Sequence, residues 1–125
     1  MGEIINIHCH SCHTHWECRT GSGLMHGTLH AAAEAFPAGQ QPEILLAAEQ
    51  TPLSLFTFAF RPARCNHCAA IVSIPILTLT ENGTVFIGPC PICGHKAKPI
   101  TRLSKCACPV CGKITLDSEE TGRWD

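Results

Sequence analysis

Residues 90–112, CPICGHKAKPITRLSKCACPVCG, carry two copies of a Cys-Pro-x-Cys-Gly knuckle, Cys90–Gly94 and Cys108–Gly112. Two sulfurs separated by two residues converge on one point when the backbone turns tightly between them. Proline after the first cysteine presets that turn, and glycine after the second accepts a positive φ, leaving backbone N–H groups aimed at the sulfurs. Upstream, the same spacing recurs as Cys9-His-Ser-Cys12 and Cys65-Asn-His-Cys68. Zinc takes four thiolates at tetrahedral corners, so two knuckles close one site. Four knuckles therefore predict two structural Zn2+ ions, held by Cys9, Cys12, Cys65, Cys68, Cys90, Cys93, Cys108 and Cys111. A closed shell of four thiolates has no open coordination position, which favours a structural role over a catalytic one.

Spacing also suggests which knuckles meet. Cys93 and Cys108 are separated by 14 residues, close to a ribbon spacing. This favours Cys90/Cys93 with Cys108/Cys111, leaving Cys9/Cys12 with Cys65/Cys68. In the alternative, Cys65/Cys68 and Cys90/Cys93 bind together at opposite feet of a hairpin, and the first and last knuckles meet. Cys18 and Cys106 are left over and read as free thiols. Cys106 stands two residues from Cys108, so it is the better placed to substitute for a ligand.

The 125 residues suit one domain, 1–125, with sub-lobes 1–68 (first knuckle, helical insert, second knuckle) and 69–125 (hairpin and C-terminal zinc ribbon). Ten cysteines in so short a chain indicate a scaffold stapled by disulfides or by metal. The first twenty residues show no basic start followed by an apolar run and a cleavage site, so the reading is a cytoplasmic protein whose thiols bind metal. The longest apolar stretch, Ala69 to Leu79, is broken by Ser73, Pro75 and Thr78 and is too short to span a bilayer.

Charge is uneven. Arg19 stands alone among residues 1–60 against Glu3, Glu17, Glu34, Glu43 and Glu49, whereas residues 61–113 hold seven basic side chains and only Glu81. The tail turns acidic again with Asp117, Glu119, Glu120 and Asp125. A zinc ion held by four thiolates carries a formal charge of about −2, so Lys96, Lys98, Arg102, Lys105 and Lys113 read first as local counter-charge. A surface for nucleic acid or an acidic partner is the rival reading.

The pattern of elements predicts an α+β fold, a small zinc-ribbon protein with antiparallel β-hairpins and one or two short helices between the first and second knuckles. Ile4–Ile7 enters the first knuckle as a strand, and His13 to Thr20 returns to a turn at Gly21-Ser-Gly23. Leu24 to Phe36 reads as a helix stopped by Pro37, and a second short helix starts near Pro42 and ends before Pro52. Leu53 to Phe60 alternates with a period of two and is the clearest strand. Ala69–Thr80 and Thr84–Ile87 flank Glu81-Asn82-Gly83 as a hairpin. Phe56, Phe58 and Phe60 share a strand face, read as core rather than as a base-stacking platform.

Other signals carry less. Cys9-His-Ser-Cys12-His13 matches the haem-attachment pattern, but as one of four knuckles it reads as metal, with no haem expected. His8, His10, His13 and His15 crowd that knuckle and read as solvated or hydrogen-bonded. His26, His30 and Glu34 share one helix face, the spacing of a metallohydrolase helix, but Gly27 occupies the place of the general base.

Taken over its whole length, the chain resembles the uncharacterised bacterial zinc-ribbon proteins with four CxxC knuckles, of the kind called CpXC-like. The resemblance runs from knuckle and Gly-x-Gly turn through helical insert, strand into knuckle and hairpin to two CPxCG knuckles and an acidic end with Trp124-Asp125. Only the last two knuckles carry the proline. The resemblance implies a bacterial cytoplasmic protein and supplies no catalytic residue. The leading functional expectation is a binding or adaptor module for protein or nucleic acid, its zinc ions replacing core, and more a binder than an enzyme. The alternatives are a metal-dependent hydrolase using His26, His30 and Glu34 with the nearby histidine cluster, or a redox or metal-handling protein using Cys18, Cys106 and the histidine-rich knuckle.

Overall fold

The computed structural model describes residues 2–22, 28–49, 55–80 and 83–124. Over these residues the chain is α+β, with two antiparallel sheets and two helices. The first sheet has the order β2-β1-β7, from β1 (Gly2–Cys9), β2 (His15–Thr20) and β7 (Leu116–Trp124). The second has the order β5-β4-β3-β6, from β3 (Phe56–Cys65), β4 (Ala70–Leu79), β5 (Val85–Ile87) and β6 (Lys98–Pro99). Each sheet is built on a hairpin whose turn is a knuckle. Cys9–Cys12 joins β1 to β2, and Cys65–Cys68 joins β3 to β4. No helix among the described residues is long and apolar enough to cross a membrane.

β3 and β4 are the two inner strands of the second sheet, and burial explains the composition of β4. Phe58, Phe60, Leu77 and Leu79 pack on one face beneath the helices with Ala32, Ala33, Phe36, Ile44 and Phe86. Ala63, Val72 and Ile74 pack on the other face with Cys65, Cys90 and Ala97. A strand covered on both sides reads as a continuous apolar run rather than an alternation. The phase of burial on β3 changes at Arg61-Pro62: Phe58 and Phe60 are buried before it, Ala63 and Cys65 after it. That shift is why the period-two signal fades at Phe60 although the strand continues to Cys65. Phe58 and Phe60 are core, in agreement with the sequence reading, and Phe56 packs partly buried against them; ring contacts of 6.4 Å (Phe36–Phe58) and 5.3 Å (Phe58–Phe60) link the face. Prolines fall where a neighbouring strand stops. β6 pairs only with Ala63 and Arg64, and β5 only with Ile76–Thr78; at the next position the Pro62 and Pro75 carbonyls still accept from the Ile100 and Gly88 N–H groups at 2.9 Å, but neither proline has an N–H to return, and the ladder ends.

Gly88 follows β5 and lies against Pro75. A Cβ there would stand 2.6 Å from the Pro75 Cγ. The proline ring cannot swing aside, so Gly88→Ala is expected to destabilise the protein by about 1–3 kcal/mol, measured by denaturant titration.

The helical insert is shorter than expected at its first helix. α1 spans Leu29–Ala33, capped by Thr28, whose hydroxyl accepts from the Ala31 N–H at 3.2 Å. Ala35 and Phe36 donate to the carbonyls three residues back, closing the end as a tight turn before Pro37. α2 (Gln41–Glu49) follows the prediction. Several expectations lie outside the described residues: Gly23 of the first turn, 24–27 of the first helix, 53–54 of the clearest strand, and the Glu81-Asn82 part of the hairpin turn.

The sheets meet through Arg19, Phe60 and Trp124. The Arg19 guanidinium lies 4.6 Å from the Phe60 ring and 4.8 Å from the Trp124 ring. Its backbone N–H donates to the Ser73 hydroxyl at 2.8 Å, and the Trp124 indole N–H donates to the Thr20 carbonyl at 3.2 Å. A cation between two aromatic faces binds both through their quadrupoles.

Candidate metal centres

The four knuckles share one local geometry. Each is followed by a residue in the left-handed region: His13 (φ 63°), Ala69 (φ 52°), Gly94 (φ 76°) and Gly112 (φ 76°). In three of them the N–H of that residue donates to the carbonyl of the first cysteine: His13 to Cys9, Gly94 to Cys90 and Gly112 to Cys108, at 2.8–2.9 Å. Further N–H groups turn inward toward sulfur, Cys12 to Cys9 at 3.5 Å and Cys68 to Cys65 at 3.4 Å. Glycine is present where proline is, and His13 and Ala69 adopt the same backbone at a steric cost. Both are exposed. Ala69→Gly is therefore expected to raise stability by about 1 kcal/mol, read as a higher thermal midpoint with unchanged metal content.

The eight sulfurs gather into two groups. Cys9, Cys12, Cys108 and Cys111 form one; Cys65, Cys68, Cys90 and Cys93 form the other, with ligand atoms within 4.8 Å of one another in each. The pairing favoured by chain spacing is thus replaced by its alternative. The reason lies in the sheets. β7 begins just after the fourth knuckle and pairs with β1, placing Leu116 opposite Cys9, while the β4–β5 hairpin carries the third knuckle back to the second. The 14-residue separation is spanned instead by β6 and the short 3-10 turn Leu103–Lys105.

Sulfur–sulfur separations are 3.6 Å (Cys9–Cys111), 3.7 Å (Cys12–Cys108), 3.5 Å (Cys65–Cys93) and 3.9 Å (Cys68–Cys90). All ten cysteines are free, and these separations are far beyond a disulfide bond of about 2.05 Å. They match the edge of about 3.8 Å in a tetrahedron with metal–sulfur bonds of about 2.3 Å. The two groups are positioned to bind metal. In each, the first cysteine of both knuckles is buried and the second partly exposed.

The electrostatics of the sulfurs point the same way. The Cys12 N–H, then the Thr115 hydroxyl 3.1 Å away, hold Cys9 down to about 5. Thr14, whose hydroxyl is 3.3 Å from the Cys12 sulfur, lowers that thiol as well. Cys108, by contrast, is pushed up by burial to about 11. In the second group the Cys68 N–H lowers Cys65 to about 7, while hydrogen bonding with Cys93, followed by burial, pushes Cys68 up to about 12. Four thiolates at these distances repel one another, so protons are retained on some. A divalent cation at the centre replaces them. Thr14 and Thr115 carry no motif signature, and their role emerges only from the fold.

Cys18 and Cys106 belong to neither group. Cys18 is buried with Ile7, Ile71 and Leu116, and Cys106 is half-buried. Burial pushes both thiols up, the opposite of what a reactive thiolate needs. Among the crowded histidines, His8 and His10 make an edge-on ring contact at 4.7 Å, and His10 approaches Asp117 at 3.4 Å. His67 and His95 stack at 3.8 Å beside Cys93, bridging the second and third knuckles. His26 lies outside the described residues. His30 and Glu34 join no cluster of metal-ligand spacing among the described residues. No family model, curated protein or solved structure matches the chain.

Proposed function

We propose that the protein is a zinc-stapled binding module of the zinc-ribbon kind, in which two Zn2+ ions, each held by four thiolates, are structural. The reading is supported above all by the eight sulfurs at tetrahedral spacing, with backbone N–H groups of the two hairpin knuckles turned toward them. All-sulfur donors are soft and suit zinc. Ten free thiols accord with residence in a reducing compartment such as the cytoplasm.

A closed coordination shell leaves the surface as the working part. The residues between the cysteines of the two proline knuckles, Ile92 and Val110, are 71% and 54% exposed, so the knuckle tips offer apolar side chains to a partner. The basic segment between those knuckles offers charge.

Native mass spectrometry with X-ray absorption tests the metal assignment. Two zinc ions per chain, each with four sulfur neighbours at about 2.3 Å, are expected. A chain with no bound metal, or with nitrogen and oxygen neighbours, would overturn it.

A further inference from the structure

Arg64 on β3 and Lys98 on β6 stand directly opposite each other in the antiparallel ladder. Like charges in that position repel and destabilise the pair. Arg102 and Lys105, from the segment around the 3-10 turn, line the same pocket of about 290 Å³, along with Thr101 and Cys106. Among the described residues, no carboxylate lines it. The two ion pairs among the described residues are His10–Asp117 and Arg123–Glu120, so none of the four cations is neutralised by a carboxylate there. The Arg64 Nε is buried without a hydrogen-bond partner. A buried, unsatisfied donor on a charged group is costly unless something is recruited to accept from it.

Counter-charge for the metal sites is the rival explanation. Adjacent residues of a strand point to opposite faces, so Arg64 projects away from the Cys65 site and shares a face with its cross-strand partner Ile71, which packs with Cys9 and Cys108 of the other. Charge balance alone still leaves the buried Arg64 Nε without an acceptor, which a bound phosphate would supply. We infer that this pocket binds the phosphate of a small phosphate monoester, with Arg64 and Arg102 as forked donors and Lys98 and Lys105 as point charges.

Arginine's planar fork matches two phosphate oxygens, and four converging cations suit a dianion. The pocket is too small for more than a phosphate and a modest organic body. A long nucleic-acid strand fits less well. Of the phenylalanines that could stack on bases, Phe58 and Phe60 are core and Phe56 packs against them, and the tail strand presents Asp117, Glu119 and Glu120 to solvent. The inference rests on the reading of the protein as a binding module. Metal content is measured in parallel so that the two can fail separately.

The test is calorimetric and NMR titration of the zinc-loaded full chain at matched ionic strength. The probes are inorganic phosphate, adenosine monophosphate and a single-stranded oligonucleotide lacking terminal phosphates. Expected are saturable binding of the first two and amide shifts concentrated on residues 64 and 98–106. Arg64→Gln should weaken both by about tenfold or more. Lys98→Glu, at an exposed position, should abolish binding while raising the thermal midpoint, because it turns the repulsive pair attractive. Arg61→Gln, on the same strand, should change nothing.

Absence of saturable phosphate binding, binding unaffected by Lys98→Glu, or binding of the oligonucleotide alone would each overturn the inference. So would variants that lose metal while phosphate affinity stays put, since that is the signature of counter-charge. Phosphate binding by a chain with no metal sites would leave this inference standing and sink the zinc reading alone.

Discussion

Stripped of metal by a strong chelator, the protein is expected to lose its strand signature in far-ultraviolet circular dichroism and its dispersed NMR spectrum. Two of the three clusters of buried side chains contain the metal-site sulfurs: Cys9 and Cys108 with Ile7 and Leu116, and Cys65 and Cys90 with Ile74 and Val72. Without a cation, four sulfurs at 3.5–3.9 Å hold either repelling charges or protons that satisfy none of the surrounding N–H donors. Binding of a structural zinc is worth about 10–16 kcal/mol in small domains, comparable with or larger than the whole stability of a chain this size. The helix-side cluster of Phe58, Phe60, Leu77 and Ile44 has no sulfur in it, so residual helix and hydrophobic collapse should persist. Two equivalents of zinc should restore the native spectrum. Retention of that spectrum at under about a tenth of an equivalent of metal would show that the ions do not hold the fold.

The second large effect concerns partnership. Cys65→Ser is expected to remove one metal ion and several kcal/mol of stability, and adding Cys90→Ser should cost little more, because both belong to one site. Cys65→Ser with Cys108→Ser should instead remove both ions, the losses adding as for independent sites. Metal counting on the two double variants, with unfolding by denaturant, separates the pairings. Had the ribbon pairing been correct, Cys90 and Cys108 would be the pair whose losses fail to add. Both double variants avoid the free-thiol positions Cys18 and Cys106, so disulfide artefacts from those residues are common to the whole set.

Local chemistry is readable in the chain and partnership is not. Proline and glycine at Cys90–Gly94 and Cys108–Gly112 announce the turn and its positive φ, and both are present in the fold. The Phe56–Phe60 alternation announces a buried strand face. Which knuckles meet depends on which strands pair, and spacing along the chain does not encode that. β7 is the clearest omission. Its sequence, LDSEETGRW, is exposed along most of its length and has none of the apolar alternation that marks a half-buried strand. It is an edge strand carrying the charges that edges favour, with a bulge at Thr121 where the register against Ile4 and Ile5 slips by one. The first helix reads too long from sequence because Ala31–Ala33 has strong helix propensity, whereas Pro37 and the tightening turn at Ala35–Phe36 act from downstream.

The two hairpin tips differ in how long they must wait during synthesis. Cys65 finds Cys93 only 28 positions later, whereas Cys9 must wait 102 positions for Cys111. On a ribosome, the later-encoded site can therefore be completed first, while the opening knuckle spends most of translation as two bare thiols. Those thiols are open to a wrong metal or an oxidant for that interval. The late-arriving tail strand then pairs along β1 in the other sheet, with Trp124 seated against Phe60 of the half that can form first, so assembly of the molecule runs from its middle outward.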